Sequence, residues 1–250
     1  MNIRLILGAL LGAALLSGMA LVAPLAREAR GDFILVNDQQ LTVNTGHFQG
    51  FLYDTSQAFI VSGGSVSYLD TYDTSTVDIS GGAAESVYSL HAYNRSTVHI
   101  SGGLVYNLFA YDNSTVDISG GTVRTLNAYD SSAVKLSGGL VTYLDTRDSS
   151  TVDISGGLMI HDGSVTALRA YGTSVVTFHT RDFHTHGELW LDGDRVLGTG
   201  FLSGKWFDGT SWGVTITDNA VGATILAIPE PATLSLLALG GAALVRRRRK

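Results

Sequence analysis

The sequence predicts an all-β fold, a single-stranded parallel β-solenoid built of short, regularly repeated coils, and three observations carry that reading. First, Ser-Gly-Gly triplets, or their equivalent, begin at Ser62, Ser80, Ser101, Ser119, Ser137 and Ser155. Their spacing is eighteen positions in every case but one, from Ser80 to Ser101, where it is longer by three. A fixed period of this length marks a stacked repeat architecture. Second, the clearest unit, "LVYNLFAYDNSTVDISGG" from Leu104 to Gly121, contains "STVDIS", which alternates apolar and polar residues with β-branched side chains on one face. That is strand periodicity. Third, equivalent positions hold the same kind of residue from unit to unit. One column reads Phe59, Val77, Val98, Val116, Val134, Val152, Val176; the next reads Val61, Ile79, Ile100, Ile118, Leu136, Ile154, Phe178. A third reads Phe51, Leu69, Leu90, Leu108, Leu126, Leu144, Leu168. A lone strand pair cannot bury such faces, whereas stacked coils join them into a continuous apolar core.

Each element follows from its local chemistry. "VYNLFAY" makes a second extended piece with Leu108 and Ala110 on one face, closed by the Asp-Asn-Ser turn signal. Gly-Gly supplies the backbone freedom of a sharp corner. A further unit ends at His179, and a degenerate one, "FQGFLYDTSQAFIV", precedes Ser62, so about seven units lie between residues 44 and 180. The longer intervals hold insertions at Ala83–Glu85 and Leu158–Gly163, both beside corners, where a solenoid tolerates them. The coils are expected to be right-handed. A left-handed helix of three hexapeptides per coil would have the same period, but the apolar positions do not recur cleanly every six.

Four segments are expected. Residues 1–31 read as a signal peptide region, with basic Arg4, a long apolar run and small residues; cleavage after Ala20, Ala26 or Gly31 and retention as an anchor are both open. Residues 32–180 form the solenoid. Residues 181–228, with Trp190, Trp206, Trp212 and Gly-Asp turns, form a β-rich cap over the exposed edge at the solenoid's end. Residues 229–250 are a separate tail. The Arg30–Asp32 "RGD" is read as coincidence.

Charge and composition exclude several classes of function. The whole chain carries −6, but residues 32–228 hold 20 acidic and 8 basic residues, a net −12. Such a surface argues against nucleic acid or anionic lipid as partner. The absence of cysteine excludes disulfides, thiolate zinc sites and thiol redox chemistry.

The tail reads "IPEPATLSLLALGGAALVRRRRK". Pro229 and Pro231 block helix extension and leave Glu230 in an extended segment. Ala232–Val245 supplies 14 residues, short against the ~20 that span a bilayer; tilt, thinning or flanking residues would make up the difference. Arg246, Arg247, Arg248, Arg249 and Lys250 would stay cytoplasmic by the positive-inside rule. Triplet, apolar helix and basic tail in this order closely resemble the PEP-CTERM sorting signal of Gram-negative bacteria. The resemblance covers the tail from Ile228 to Lys250. It implies processing by a membrane-embedded exosortase, transient C-terminal membrane anchoring, and delivery to the envelope, surface or matrix of a bacterium that makes extracellular polysaccharide.

Four clusters are candidate sites. Asp73, Asn94, Asp112, Asp130 and Asp148 form an acidic column at the turns. Asp favours turns in its own right; as oxygen ligands the four aspartates Asp73, Asp112, Asp130 and Asp148 could instead collect Ca²⁺, although the Gly-x-Asp of calcium-binding β-rolls is missing. Beside it run Tyr72, Tyr93, Tyr111, Tyr129, Arg147 and Tyr171, either a self-stacking ladder with Arg147 over a Tyr face or an aromatic strip for a glycan. Asp78, His99, Asp117, Lys135 and Asp153 read as a solvated face in which His and Lys relieve like-charge repulsion. In "FHTRDFHTH", His179, Asp182, His184 and His186 make a transition-metal site imaginable. No cofactor is expected otherwise.

The expected function is that of a non-catalytic surface or matrix protein associated with extracellular polysaccharide. A polysaccharide-active lyase or hydrolase would need a localised group of acids and bases, for which only the breaks at Arg147 and at His161–Asp162 offer a place. A passive self-assembling scaffold is the third reading.

Overall fold

The computed structural model describes residues 31–81, 87–157, 160–161, 164–220 and 222–229. Residues 1–30 of the signal peptide region, Glu230, Pro231, the apolar stretch and the basic tail lie outside the described residues, as does the Ala83–Glu85 insertion.

The described residues contain strands and no helix. Every coil gives one strand to each of two sheets. The first sheet is built mainly from seven-residue strands such as Ser65–Thr71, Leu104–Ala110, Thr122–Ala128 and Leu140–Thr146. The second is built mainly from four-residue strands such as Thr76–Ile79, Thr97–Ile100, Thr115–Ile118 and Thr151–Ile154. Neighbours in both stacks are parallel, from Phe33–Leu35 and Gln40–Val43 at one end through every coil. This is the expected parallel β-solenoid. Two sheets, rather than three, rule out a hexapeptide helix.

The core lies between the sheets. Val116, Ile118, Val105, Leu108 and Ala110 of one coil are at most 1% exposed, and their equivalents above and below are buried with them. Each such Val, Leu or Ile contributes roughly 1.5–3 kcal/mol by leaving water. The Ser-Gly-Gly corners are tight because coils touch there: a Cβ on Gly138 would collide with the Ser119 carbonyl oxygen of the preceding coil. The glycine after it, Gly139, sits at φ 79°, where a side chain is strained.

The register of the first coils differs from the expected alignment. Val77 pairs with Ala58, Ile79 with Ile60 and Leu69 with Gly50. Phe59, Val61 and Phe51, placed in the inward columns by the triplet spacing, are therefore not core residues; Phe59 faces out beside Asp78 and Phe51 beside Asp70. The cause is one extra residue in the corner after Ile60, which leaves the triplets 18 apart but makes the strand offset 19. A slip of one residue turns every side chain to the opposite face. At Gly50 the missing side chain is replaced by the ring of Phe33 and a methyl of Leu69.

The stack also extends beyond residues 44–180 at both ends. Phe33–Leu35 and Gln40–Val43 add a coil before it. After it, Ser211–Asn219 pairs in parallel with Ser164–Ala170, and Thr224–Pro229 with Val175–Thr180. The intervening chain folds as antiparallel hairpins, Asp182–Gly187 with Gly200–Lys205 and Trp190–Asp192 with Arg195–Leu197, which lie at the sheet ends. Phe178, Trp212 and Trp206 stack in series at 5.0 and 4.9 Å, sealing the core at this end. Trp212 Nε1 donates to Thr180 Oγ1 at 3.0 Å, and Trp206 Nε1 to the Gly157 carbonyl at 2.7 Å.

Candidate functional site: the outer face of the long-strand sheet

The turn column is set by backbone geometry. Asn37, Asp54, Asp73, Asn94, Asp112, Asp130 and Asp148 all lie at φ between 54° and 58°, a left-handed conformation that Asn and Asp tolerate better than other side-chain-bearing residues. Gly172 continues the column at φ 66°. The carboxylates are engaged between coils. Asp54 N–H donates to Asp73 Oδ2, Asn94 N–H to Asp112 Oδ2, Asp112 N–H to Asp130 Oδ2 and Asp130 N–H to Asp148 Oδ2, at 2.9 to 3.3 Å. Asn37 and Asp54 belong to this column although the displaced register hides them in the sequence. The geometry accounts for Asp at these turns by conformation and hydrogen bonding, and among the described residues no three His, Asp or Glu side chains converge to hold a metal. His184 and His186 are exposed on the strand Asp182–Gly187.

The tyrosine column starts one coil earlier than expected, at Tyr53. Tyr53, Tyr72, Tyr93, Tyr111 and Tyr129 stack at 4.9 to 5.1 Å with their planes within 8° of parallel. The spacing is close to that between neighbouring strands, so each ring covers the face of the next. Burial raises the phenol pKa of Tyr72, Tyr93, Tyr111 and Tyr129; Asp70 pushes Tyr72 and Tyr93 in the same direction, whereas Arg147 opposes the rise at Tyr129. Arg147 fills the next place. Its guanidinium lies 5.7 Å from the Tyr129 ring centre and 5.2 Å from that of Tyr171, and Asp145 holds it through two bonds of 2.9 and 3.1 Å. Tyr171 ends the series, donating to Asp218 at 2.9 Å.

A second aromatic row, missed in the sequence, lies on the same sheet face. Between the inward Val and Leu of each long strand come two residues rather than one. Aromatic residues at these places make a staggered row: Phe48 to Tyr68 at 5.7 Å, Tyr68 to Tyr88 at 6.1 Å and Tyr88 to Tyr106 at 5.5 Å. Where the row changes column, as at Phe48–Tyr68 and Tyr68–Tyr88, the rings meet edge to face, at 73° and 74°. Arg124 closes the row 5.1 Å from the Tyr106 ring centre. Phe48, Tyr68 and Tyr88 are 57%, 42% and 47% exposed. The signal was present as a Tyr one residue before the Leu in "SYLD" and two before it in "VYSL" and "VYNL", but this shift between two columns breaks the vertical pattern. Between the two rows run Asp70, His91 and Phe109, with His91 Nδ1 2.7 Å from Asp70 Oδ1.

The opposite sheet carries Asp78, His99, Asp117, Lys135 and Asp153 in one register column, as expected. Of the insertion at 158–163, Ile160–His161 pairs antiparallel with the strand Ser164–Ala170, and Asp162 lies outside the described residues.

The last described strand, Thr224–Pro229, runs directly into the Pro-Glu-Pro triplet. Residues 227–250 match the family model of the PEP-CTERM protein-sorting motif. The chain carries a PEP-CTERM sorting motif. This PEP-CTERM motif implies an exported protein, anchored transiently through its C-terminus and processed by an exosortase. It starts on the last described rung of the solenoid, where Pro229, the first residue of the triplet, pairs in parallel with Thr180. No curated protein and no solved structure matches the chain.

Proposed function

We propose that the protein is a non-catalytic component of the surface or extracellular matrix of a Gram-negative bacterium, associated with extracellular polysaccharide. The observation that carries this reading is the repetition of outward chemistry along the stack. Tyrosine edges recur over five successive coils and a second aromatic row over four of them on one sheet face, beside the acidic turns. A polymer can meet such a surface at many equivalent points, whereas catalysis needs acids and bases gathered at one place. The acidic surface favours staying in solvent over binding anionic membranes or nucleic acid, and the sorting motif supports delivery outside the cell.

The test uses the exported protein and the producing organism's own extracellular polysaccharide. Co-sedimentation is measured with and without a calcium chelator, and the supernatant is assayed for new sugar ends. Binding without release of sugar ends is expected. Release would establish an enzyme and overturn the reading; absence of binding, with concentration-dependent polymerisation, would leave a self-assembling scaffold.

A further inference from the structure

We propose that the staggered row Phe48–Tyr68–Tyr88, ending at Tyr106 and Arg124, is a binding platform for a neutral polysaccharide chain lying along the solenoid axis. This deepens the function proposed above and rests on it.

The two aromatic rows on this face differ in what they offer a ligand. In the Tyr53–Tyr129 ladder the ring faces are spent on one another, with planes within 8° of parallel, so solvent meets mainly ring edges and hydroxyls. In the second row the rings are not stacked face on face, since Phe48–Tyr68 and Tyr68–Tyr88 meet at 73° and 74°, and about half of each residue is exposed. Three adjacent large aromatics exposed to this degree mark an interaction site. The C–H faces of pyranose rings are apolar and carry partial positive charge, so they complement the negative face of an aromatic ring.

The arrangement also orients the ligand. Successive rings climb one strand at a time, at 5.5 to 6.1 Å, so a chain that touches all of them must run across the strands. Asp70 and His91, in the neighbouring column, supply hydrogen-bonding groups beside that path. Charge selects the class of chain. Residues 32–228 carry −12, and Arg124 is the cation at the row's end, already placed over Tyr106. A uronic-acid polymer would be repelled along most of its length, while a neutral glycan would not.

The experiment is affinity electrophoresis of the full exported protein in gels containing hydroxyethylcellulose as the neutral probe or alginate as the anionic one. It is paired with sedimentation on the organism's own polysaccharide. Retardation by the neutral probe and not by alginate is expected. Tyr68→Ala and Tyr88→Ala should each weaken it on the order of tenfold, the scale of losing one aromatic platform. Tyr88→Trp should retain or strengthen it, and His99→Ala, on the outer face of the opposite sheet, should leave it unchanged when circular dichroism shows the fold intact. Binding that survives the combined Tyr68→Ala/Tyr88→Ala change would overturn the platform while leaving polysaccharide association standing. Failure to sediment with the native polysaccharide would remove both. Preference for alginate, or a row whose mutation abolishes only self-association, would overturn the assignment of a neutral glycan.

Discussion

The amide of Asp112 donates to the carboxylate of Asp130, 3.1 Å away in the following coil, and both residues sit in left-handed backbone at φ 54° and 55°. One side chain thus meets two needs of the turn: it tolerates the conformation and satisfies a donor in the neighbouring rung. Ala at Asp112 would keep the strained conformation and remove the acceptor for Asn94 N–H, which is 2.9 Å from it. Asp112→Ala should therefore cost about 1–2 kcal/mol, while Asp112→Asn should stay within about 0.5 kcal/mol of the parent. Denaturant midpoints of the two variants check the order; equal midpoints would show that the column is not conformationally selected.

The stacked tyrosines predict an alkaline limit to stability. Their pKa is raised in the folded chain, chiefly by burial. The unfolded chain then loses these protons first, so the stabilising contribution is complete below about pH 10 and is lost as pH rises through the folded values. Absorbance titration of phenolate should show a late-ionising class of tyrosines, and the thermal midpoint should fall above about pH 10. Ionisation of all the tyrosines together near the ordinary value would contradict the ladder.

Trp212 is 1% exposed and lies between Phe178 and Trp206. Trp212→Ala should cost about 3–5 kcal/mol, leaving Thr180 Oγ1 without its indole donor. Tryptophan fluorescence and circular dichroism, followed together through unfolding, should show the C-terminal end melting before the central coils, because each coil in a solenoid is held mainly by its neighbours.

At the corner, Gly138→Ala places a methyl against the Ser119 carbonyl of the preceding coil and should destabilise by about 1–3 kcal/mol through overpacking. A lowered melting temperature with unchanged secondary structure is the expected result. A neutral outcome would mean that the coils can separate at their corners.

Much of this architecture is readable without coordinates because a solenoid repeats its own evidence. Val116 and Ile118 announce an inward face, and their equivalents one period away announce the same face again. Where the period falters, reading fails for a physical reason. One added residue after Ile60 displaced Phe59, Val61 and Phe51 from the places that Ala58, Ile60 and Gly50 occupy, since side-chain direction alternates with every residue. Buried serines show the same limit. Ser56, Ser75, Ser96, Ser114, Ser132, Ser150 and Ser174 are fully buried in one column, although their polarity suggests exposure; Thr71 and Thr146 reach Ser96 and Ser174 at 3.0 Å.

By itself, the sequence determined the repeat, the two strands per coil, the turn chemistry and the C-terminal sorting motif, because each is encoded in residues close together in the chain or in a strict period. Tertiary structure alone decided how the aromatic rings meet one another. The Tyr53–Tyr129 rings stand in one column and cover each other, whereas Phe48, Tyr68 and Tyr88 alternate between two columns and meet edge to face. That difference depends on the tilt of rings held by neighbouring coils, and rings a strand's width apart in space lie a whole coil apart in the chain.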